Sequence, residues 1–528
     1  SNYIVESLNG NLIAGNGATQ IDENTVEVAI EDVSGQINIE TLTGEDTLTV
    51  DFGGRLDWAP IVFDGGFSEL DSLIIEGTDG FSTAYNFINP QDGSIRFTNG
   101  VEEAGLTLIG VEPITDKGVV ADRVFSFTGA SETITLSDDG TVGDGISQID
   151  STLATVSFAQ PTSSLTIRTT DTDSDTISIQ GVDSKFDADL ILEAGTDDTV
   201  RFESVRSDIG SGNLTTIAGT IDIEQPIVSG GGSIELSAME GINVSSTSSI
   251  STPGGYVKLD SSDNGTTTVS GLIDVSDDET SRFGGRVELL GRHVGLFDHA
   301  RIDASGFAGG GTVLVGGDYQ GSNAAIRNSR VTYVGANTSI SASALSHGDG
   351  GTVIVWADHT TRFHGQIIAE GGVTGGDGGF SEVSGKGFLT FDGDVSLASR
   401  LGGQNGTLLL DPTTITVQAA TPDIDGALSA ATDDINALTD LDETTDFATA
   451  NSIITATAVN NLLIGTNLLQ LKATSSIAIN AAITGTGMSA SLELVAPAIT
   501  IAANVTTTGT QKYDGAVTLG AGVVLTGS

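Results

Sequence analysis

Between residues 232 and 410 apolar and polar positions alternate in short runs, and each run opens on a glycine. Seven runs read Gly-x-φ-x-φ, where φ is apolar: Gly232-Ser-Ile-Glu-Leu, Gly255-Tyr-Val-Lys-Leu, Gly285-Arg-Val-Glu-Leu, Gly311-Thr-Val-Leu-Val, Gly351-Thr-Val-Ile-Val, Gly379-Phe-Ser-Glu-Val and Gly406-Thr-Leu-Leu-Leu. The sixth departs from the rule, with Ser381 where the others carry Ile, Val or Leu. Successive glycines are 23, 30, 26, 40, 28 and 27 residues apart, the period of a solenoid rather than of a globular enzyme core.

Period-2 alternation puts every second side chain toward a core, which predicts a β-strand after each glycine, with the paired glycines supplying a tight turn. Phe297, Phe363 and Phe391 follow Gly285, Gly351 and Gly379 at one offset of 12 residues and are read as starting a second strand, ending near Ile302, Ile367 and Leu397. Two strands per period cannot bury their own apolar face. Stacked on their equivalents they can, and the fold expected is all-β, a right-handed parallel β-helix with loop insertions. A β-sandwich would also show short strands and glycine turns, but it repeats at about 100 residues and has no reason to keep so short a period.

Four zones follow. Residues 1–215 are an irregular acidic β-repeat region whose mark is an acid, a hydroxyl residue and an aliphatic one: Asp46-Thr-Leu, Asp71-Ser-Leu, Glu132-Thr-Ile, Asp175-Thr-Ile and Asp198-Thr-Val. Residues 216–420 are the regular glycine-rich array, whose long period between Gly311 and Gly351 predicts a loop or an extra turn. Residues 421–451 form a polar insertion with some helical spacing over Ala427–Leu438, and residues 452–528 continue the coils. The chain begins Ser-Asn-Tyr and stops just after an apolar run, so it is expected to be a piece of something larger.

Of 528 residues 70 are acidic and 20 basic, a formal charge of −50 that excludes nucleic acid and anionic lipid as partners. Zero cysteines remove disulfide and thiol chemistry and fit an exported bacterial protein. No apolar run is long enough to cross a bilayer.

Gly348-Asp-Gly-Gly-Thr-Val-Ile-Val-Trp-Ala, Gly376-Asp-Gly-Gly-Phe-Ser-Glu-Val-Ser-Gly-Lys, Thr407-Leu-Leu-Leu-Asp-Pro-Thr-Thr-Ile and Thr457-Ala-Val-Asn-Asn-Leu-Leu resemble the shaft of filamentous haemagglutinin-like exoproteins. The resemblance covers roughly residues 216–528, while residues 1–215 resemble acidic repeats of giant bacterial surface proteins. It implies a very large surface protein, exported in many members by two-partner secretion, with a right-handed β-helical shaft used in adhesion and no catalytic residues to carry over. The family's amino-terminal secretion domain is not seen in the sequence.

Parallel β-helices also carry polysaccharide-cleaving enzymes built on paired carboxylates. Asp138 with Asp139, Asp183 with Asp187, and Asp277 with Asp278 near Arg282 are the pairs to weigh, and turn residues on solvated corners are the reading favoured for all three. Asp171, Asp173 and Asp175 offer alternating hard oxygen ligands for calcium, although Thr176 and Val182 stand where an EF-hand loop needs glycine and glutamate. His347, His359 and His364 lack a metal-ligand spacing, and Trp356 and Tyr319 are read as outward aromatics. The function expected is a non-enzymatic, secreted or cell-surface β-helical rod that binds cell-surface glycan or protein receptors multivalently. The alternatives are a self-assembling subunit of an extracellular filament or sheath, in which copies of the chain are the partners, and a polysaccharide-active enzyme.

Overall fold

The computed structural model describes residues 2–528 apart from 7–13, 15–16, 42–43, 67–70, 90–91, 153, 171–172, 420–451, 467 and 488. The insertion expected at 421–451 lies outside the described residues. The chain is all-β and stacks parallel strands as a β-helix. It divides into two units, Ser1–Asp198 and Thr199–Ser528.

In the first unit the acid–hydroxyl–aliphatic marks open rungs. Leu48, Leu73, Ile114 and Val156 are register partners along one parallel stack, and the last three are fully buried. The period is irregular because some coils leave the stack for an antiparallel excursion. Ser82–Asn89, Asp92–Thr98 and Glu103–Ile109 run up, down and up, as do Thr133–Asp138, Ile146–Asp150 and Thr155–Ala159. Coil-equivalent residues are therefore 25 apart at Asp46 and Asp71 but 43 apart at Glu132 and Asp175. A three-stranded antiparallel sheet of Asn2–Glu6, Thr25–Ala29 and Ala18–Gln20 packs on this stack through Tyr3, whose hydroxyl accepts from Ala59 N and whose ring meets Trp58 edge-on at 5.2 Å.

The core of this unit holds aromatics in register, with Tyr85 stacked on Phe125 at 4.6 Å and Phe87 beside Phe127 at 5.4 Å. Arg123 occupies an inward position of the same strand, fully buried between Thr83 and Leu165. Its guanidinium pairs with the buried Asp116, which also accepts from the Tyr85 hydroxyl, and donates to Gly118 O at 2.9 Å. It also lies 5.3 Å from the Phe158 ring. A charge in such a place is held only because each of these partners offsets its lost hydration.

The second unit has three faces per coil, not the two strands read from the sequence. The seven Gly-x-φ-x-φ runs form the first face, with Ile234, Val257, Val287, Val313, Val353, Ser381 and Leu408 in one inward column. The third face is an eight-stranded sheet of two- and three-residue strands whose column is Ile227, Ile250, Ile273, Ile302, Ile340, Ile367 and Val395. The phenylalanines do not start a strand. Phe363 and Phe391 close second-face strands and stack at 5.3 Å, while Phe297 falls one step beyond the equivalent Leu296. The first-face strand Arg286–Leu290 is one residue shorter than Thr352–Ala357, and both are followed by two-residue corners, so a common offset from the glycine lands on different stack positions.

The glycines are needed for close approach rather than for a turn. A Cβ on Gly285, Gly311, Gly351, Gly379 or Gly406 would lie inside 3.0 Å of the carbonyl oxygen of the equivalent glycine one coil before, and none of the five has a left-handed φ. Asp349 and Asp377 of the Gly-Asp-Gly-Gly motifs tie the neighbouring corner loops, accepting from Asp377 N at 2.8 Å and Gln404 N at 2.7 Å.

Among the described residues of the second unit, chain order breaks at one strand. Ser452–Thr455 sits on the second face between Phe388–Phe391 and Thr414–Gln418, ahead of a strand that precedes it in sequence. The helix Ala456–Gly465 follows, capped where the Thr455 hydroxyl accepts from Ala458 N at 3.0 Å. It buries Val459, Leu462 and Leu463 and packs between Asp394–Ser396 and Ile483–Thr484, where the third-face sheet is interrupted.

Candidate functional site

Function in a solid stack resides on outward positions, and two places on the second unit are built rather than merely exposed. The first is the long period between Gly311 and Gly351. Its residues 316–330 lie over the outer side of the first face, covering Leu314, Ile354 and Trp356, which are at most 3 % exposed, with Ile326 and Phe380 packed alongside. Arg327 reaches back to Asp260 at 3.0 Å and to Asp263, and Gln320 N reaches forward to Glu382 Oε2 at 3.0 Å. The loop is a strap along the stack axis from the coil of Asp260 to that of Glu382.

Glu382 stands in the outward column of the first face between Ile354 and Leu409, two coils after Leu314 and three after Glu288, and is fully buried, with Oε1 lacking a hydrogen-bond partner. Burial pushes its carboxyl up to about 7 and the nearby Asp411 pushes the same way, against the Gln320 N–H, Ser384 and Lys472. Asp411 is itself salt-bridged to Lys472 at 2.6 Å. A carboxyl titrating near neutrality suits a general acid. Here it lies beneath a strap instead of in a cleft, so the geometry suits a proton-sensitive clasp.

The second place is an open groove of about 500 Å³ along the corner that leads into the first face, crossing four consecutive coils. Its floor is glycine, including Gly254, Gly255, Gly284, Gly285, Gly310 and Gly311. Tyr256 and Arg286, register partners on adjacent coils, form one wall. Both are tied to Glu288, which is 3 % exposed: the Tyr256 hydroxyl donates to Oε2 at 2.9 Å and Arg286 Nε to Oε1 at 2.6 Å. Burial and the Glu288 carboxylate raise the Tyr256 hydroxyl well above its ordinary pKa, which keeps it a donor. Phe283, 64 % exposed, immediately precedes the floor residue Gly284.

The candidates singled out from sequence fall elsewhere. Asp171 lies outside the described residues, and Asp175 is buried. Asp175 Oδ1 accepts from Glu132 N at 2.7 Å, and its own N–H donates to Asp198 Oδ1 at 2.8 Å, so the carboxylates cap backbone between coils. Asp71 does the same for Asp46 N at 2.9 Å. Burial first, then Asp198, Asp173 and Glu132 raise Asp175 to about 6, against the Glu132 N–H. Among the described residues no group of three or more His, Cys, Asp or Glu is gathered in a way that could hold a metal ion.

Four members of the three carboxylate pairs cap turns. Asp138, Asp139 and Asp277 each accept from the backbone N–H two residues on, at 2.7, 2.8 and 3.0 Å. Asp183 accepts from Lys185, Gly143 and Gly145; burial alone would raise it, and those N–H groups bring it below the usual range. The histidines are separately engaged, His347 edge-on to Phe307, His359 beside the Thr360 hydroxyl and His364 near Tyr333. Trp356 does face outward, but under the strap, whereas Tyr319 is 46 % exposed on it. Neither Glu382 nor the Tyr256–Arg286–Glu288 set was singled out. Glu382 carried a signal, since it is the acid following the one polar residue, Ser381, that breaks the seven-fold apolar column.

No protein-family model matches the chain, and no curated protein matches it. Among solved structures it is similar to the HMW1 secretion domain from Haemophilus influenzae, at 17 % identity over 78 % of this chain and 99 % of that one, with a TM-score of 0.35. A likeness of that size carries no argument about function.

Proposed function

We propose that this chain is a non-catalytic β-helical scaffold of a large, secreted or surface-anchored bacterial protein, working in adhesion by presenting many weak contacts at once. The observation that carries this reading is the register kept along the second unit's third face, where one inward aliphatic column runs from Ile227 to Val395. A core filled by such a column devotes the coils to repeated outward faces. The charge of −50 keeps those faces soluble and turns away polyanions. The sequence resemblance to filamentous haemagglutinin-like shafts supports the same reading. The acids with the most raised pKa values, Asp175 and Glu382, are employed as a backbone cap and beneath the strap, which favours structure over catalysis.

The test is valency. Purified chain is displayed on beads at graded density and bound to host or bacterial cells. Retention that rises steeply with density, by 10²-fold or more over the soluble chain, is the result expected of avidity. Retention that is absent, or the same at every density, contradicts it. Fibres assembling from the purified chain alone would favour the filament reading instead.

A further inference from the structure

We propose that the glycine-floored groove beside Tyr256 and Arg286 is a binding site for an uncharged oligosaccharide lying along the stack axis; this rests on the reading of the chain as a surface scaffold and names what one of its faces holds. The floor is kept open by the fold itself. A side chain on Gly285 or Gly311 would collide with the carbonyl oxygen of the coil before, so the groove cannot be filled by substitution while the coils remain stacked. Four coils at ~4.8 Å per rung give a run of about 14 Å, room for a short linear oligosaccharide.

The walls suit a sugar. Tyr256 and Arg286 are both held by the buried carboxylate of Glu288, so the phenol ring and the guanidinium are oriented before any ligand arrives. A ring with its hydroxyl already committed offers its face to the apolar C–H side of a pyranose. Arg286 is 42 % exposed and has donors beyond the Nε–H given to Glu288, which match ring hydroxyls. Phe283 supplies a second exposed ring beside the groove, next in sequence to the floor residue Gly284 and with its ring close to Gly309, the neighbour of the floor residue Gly310.

Charge and backbone choose among occupants. The Arg286–Glu288 pair is neutral as a unit, in a chain of net charge −50, which disfavours sulfated or uronic acid polymers. An extended peptide would bind by adding a strand, which needs free backbone groups. The floor has spent its donors inside the stack, Gly285 N on Val275 O at 2.8 Å and Gly311 N on Ala304 O at 2.7 Å.

Saturation-transfer NMR on the whole chain, with neutral hexasaccharides of glucose, xylose, galactose and N-acetylglucosamine against a sulfated hexasaccharide and an extended hexapeptide, tests the assignment. At least one neutral sugar is expected to show transfer concentrated on its ring C–H protons. Tyr256→Ala and Phe283→Ala should each weaken it about tenfold, while Tyr256→Phe stays within about threefold. Unchanged thermal unfolding of the three variants certifies the fold. No transfer to any neutral sugar, transfer indifferent to both alanine variants, or preference for the sulfated sugar or the peptide would overturn the site. The bead assay reports separately: sugar binding without a density dependence sinks the scaffold reading and leaves the groove, and density-dependent binding with no sugar transfer does the reverse.

Discussion

Glu132 and Asp175 in the first unit, and Gly311, Gly351 and Gly379 in the second, occupy the same place in their coils, the residue before a rung begins. The first pair reach across the coil boundary with a carboxylate that takes a neighbour's N–H, or give their own N–H to the next. The glycines do the opposite, offering no side chain so that backbone touches backbone. Both tie neighbouring coils at the start of a rung, and the difference lies in what disturbs them. An acid ladder accumulates like charge in a buried column and must respond to pH, whereas a glycine ladder responds only to bulk.

The comparison breaks most sharply at Gly351. Gly351→Ala should cost more than about 4 kcal/mol or prevent folding, because its Cβ meets Gly311 backbone on one side and no flexible atom can yield. Gly35→Ala in the first unit, where a Cβ meets nothing within 4 Å and φ is not left-handed, should be neutral or stabilise by up to about 1 kcal/mol. Urea unfolding monitored by circular dichroism measures both.

Next in size is the buried charge of the first unit. Arg123→Ala leaves Asp116 and the Tyr85 hydroxyl facing each other without a cation in the core and is expected to cost about 3–5 kcal/mol. A loss below about 1 kcal/mol in the same unfolding experiment would mean that the triad is not formed as described.

Glu382 sharpens the contrast from inside the glycine unit. Its folded pKa of about 7 lies above the ordinary 4.5, so the stability it contributes is complete below pH 4.5 and is lost as pH rises through 7. Glu382→Gln should therefore be near neutral at pH 4 and stabilising by up to about 3 kcal/mol at pH 9, read from urea midpoints across pH. Equal effects at both ends would show that burial does not raise the carboxyl in the folded protein.

The smallest effect is at Asp175, raised to about 6 from 3.8, whose contribution is likewise lost as pH climbs through 6. Asp175→Asn keeps an oxygen for Glu132 N and removes the charge, and should stabilise the first unit by about 1–2 kcal/mol at pH 8 after allowance for solvent screening. The same substitution at pH 4 should change little.

Residue patterning made the stack legible where one coil differs from the next only in detail. All seven glycine runs open first-face strands in common register, because an alternating strand with one buried side states its register in its own residues. The third face was folded into the second since its strands offer a single inward residue, Ile250 or Ile273, too short a run for a period. Arg123 was invisible for a related reason: an arginine within an alternating strand reads as solvent-facing until its partners Asp116 and Tyr85, 7 and 38 residues away, are in place. Ser452–Thr455 pairs with strands in an order no sequence scan supplies. Of the groove, Tyr256 and Arg286 sat in plain view at the same step of two repeats, but only the register of Glu288 against them makes a wall.

Amide-resolved hydrogen exchange of the whole chain at pH 5 and pH 8, corrected for intrinsic rates, tests the two-ladder account most directly. The acid-capped amides of Glu132 and Asp175 are expected to lose protection at pH 8, by an opening free energy of about 1–2 kcal/mol, while the amides of Gly311 and Gly351 keep theirs. Equal loss at both ladders, or a gain of protection at the acids as they ionise, would contradict it.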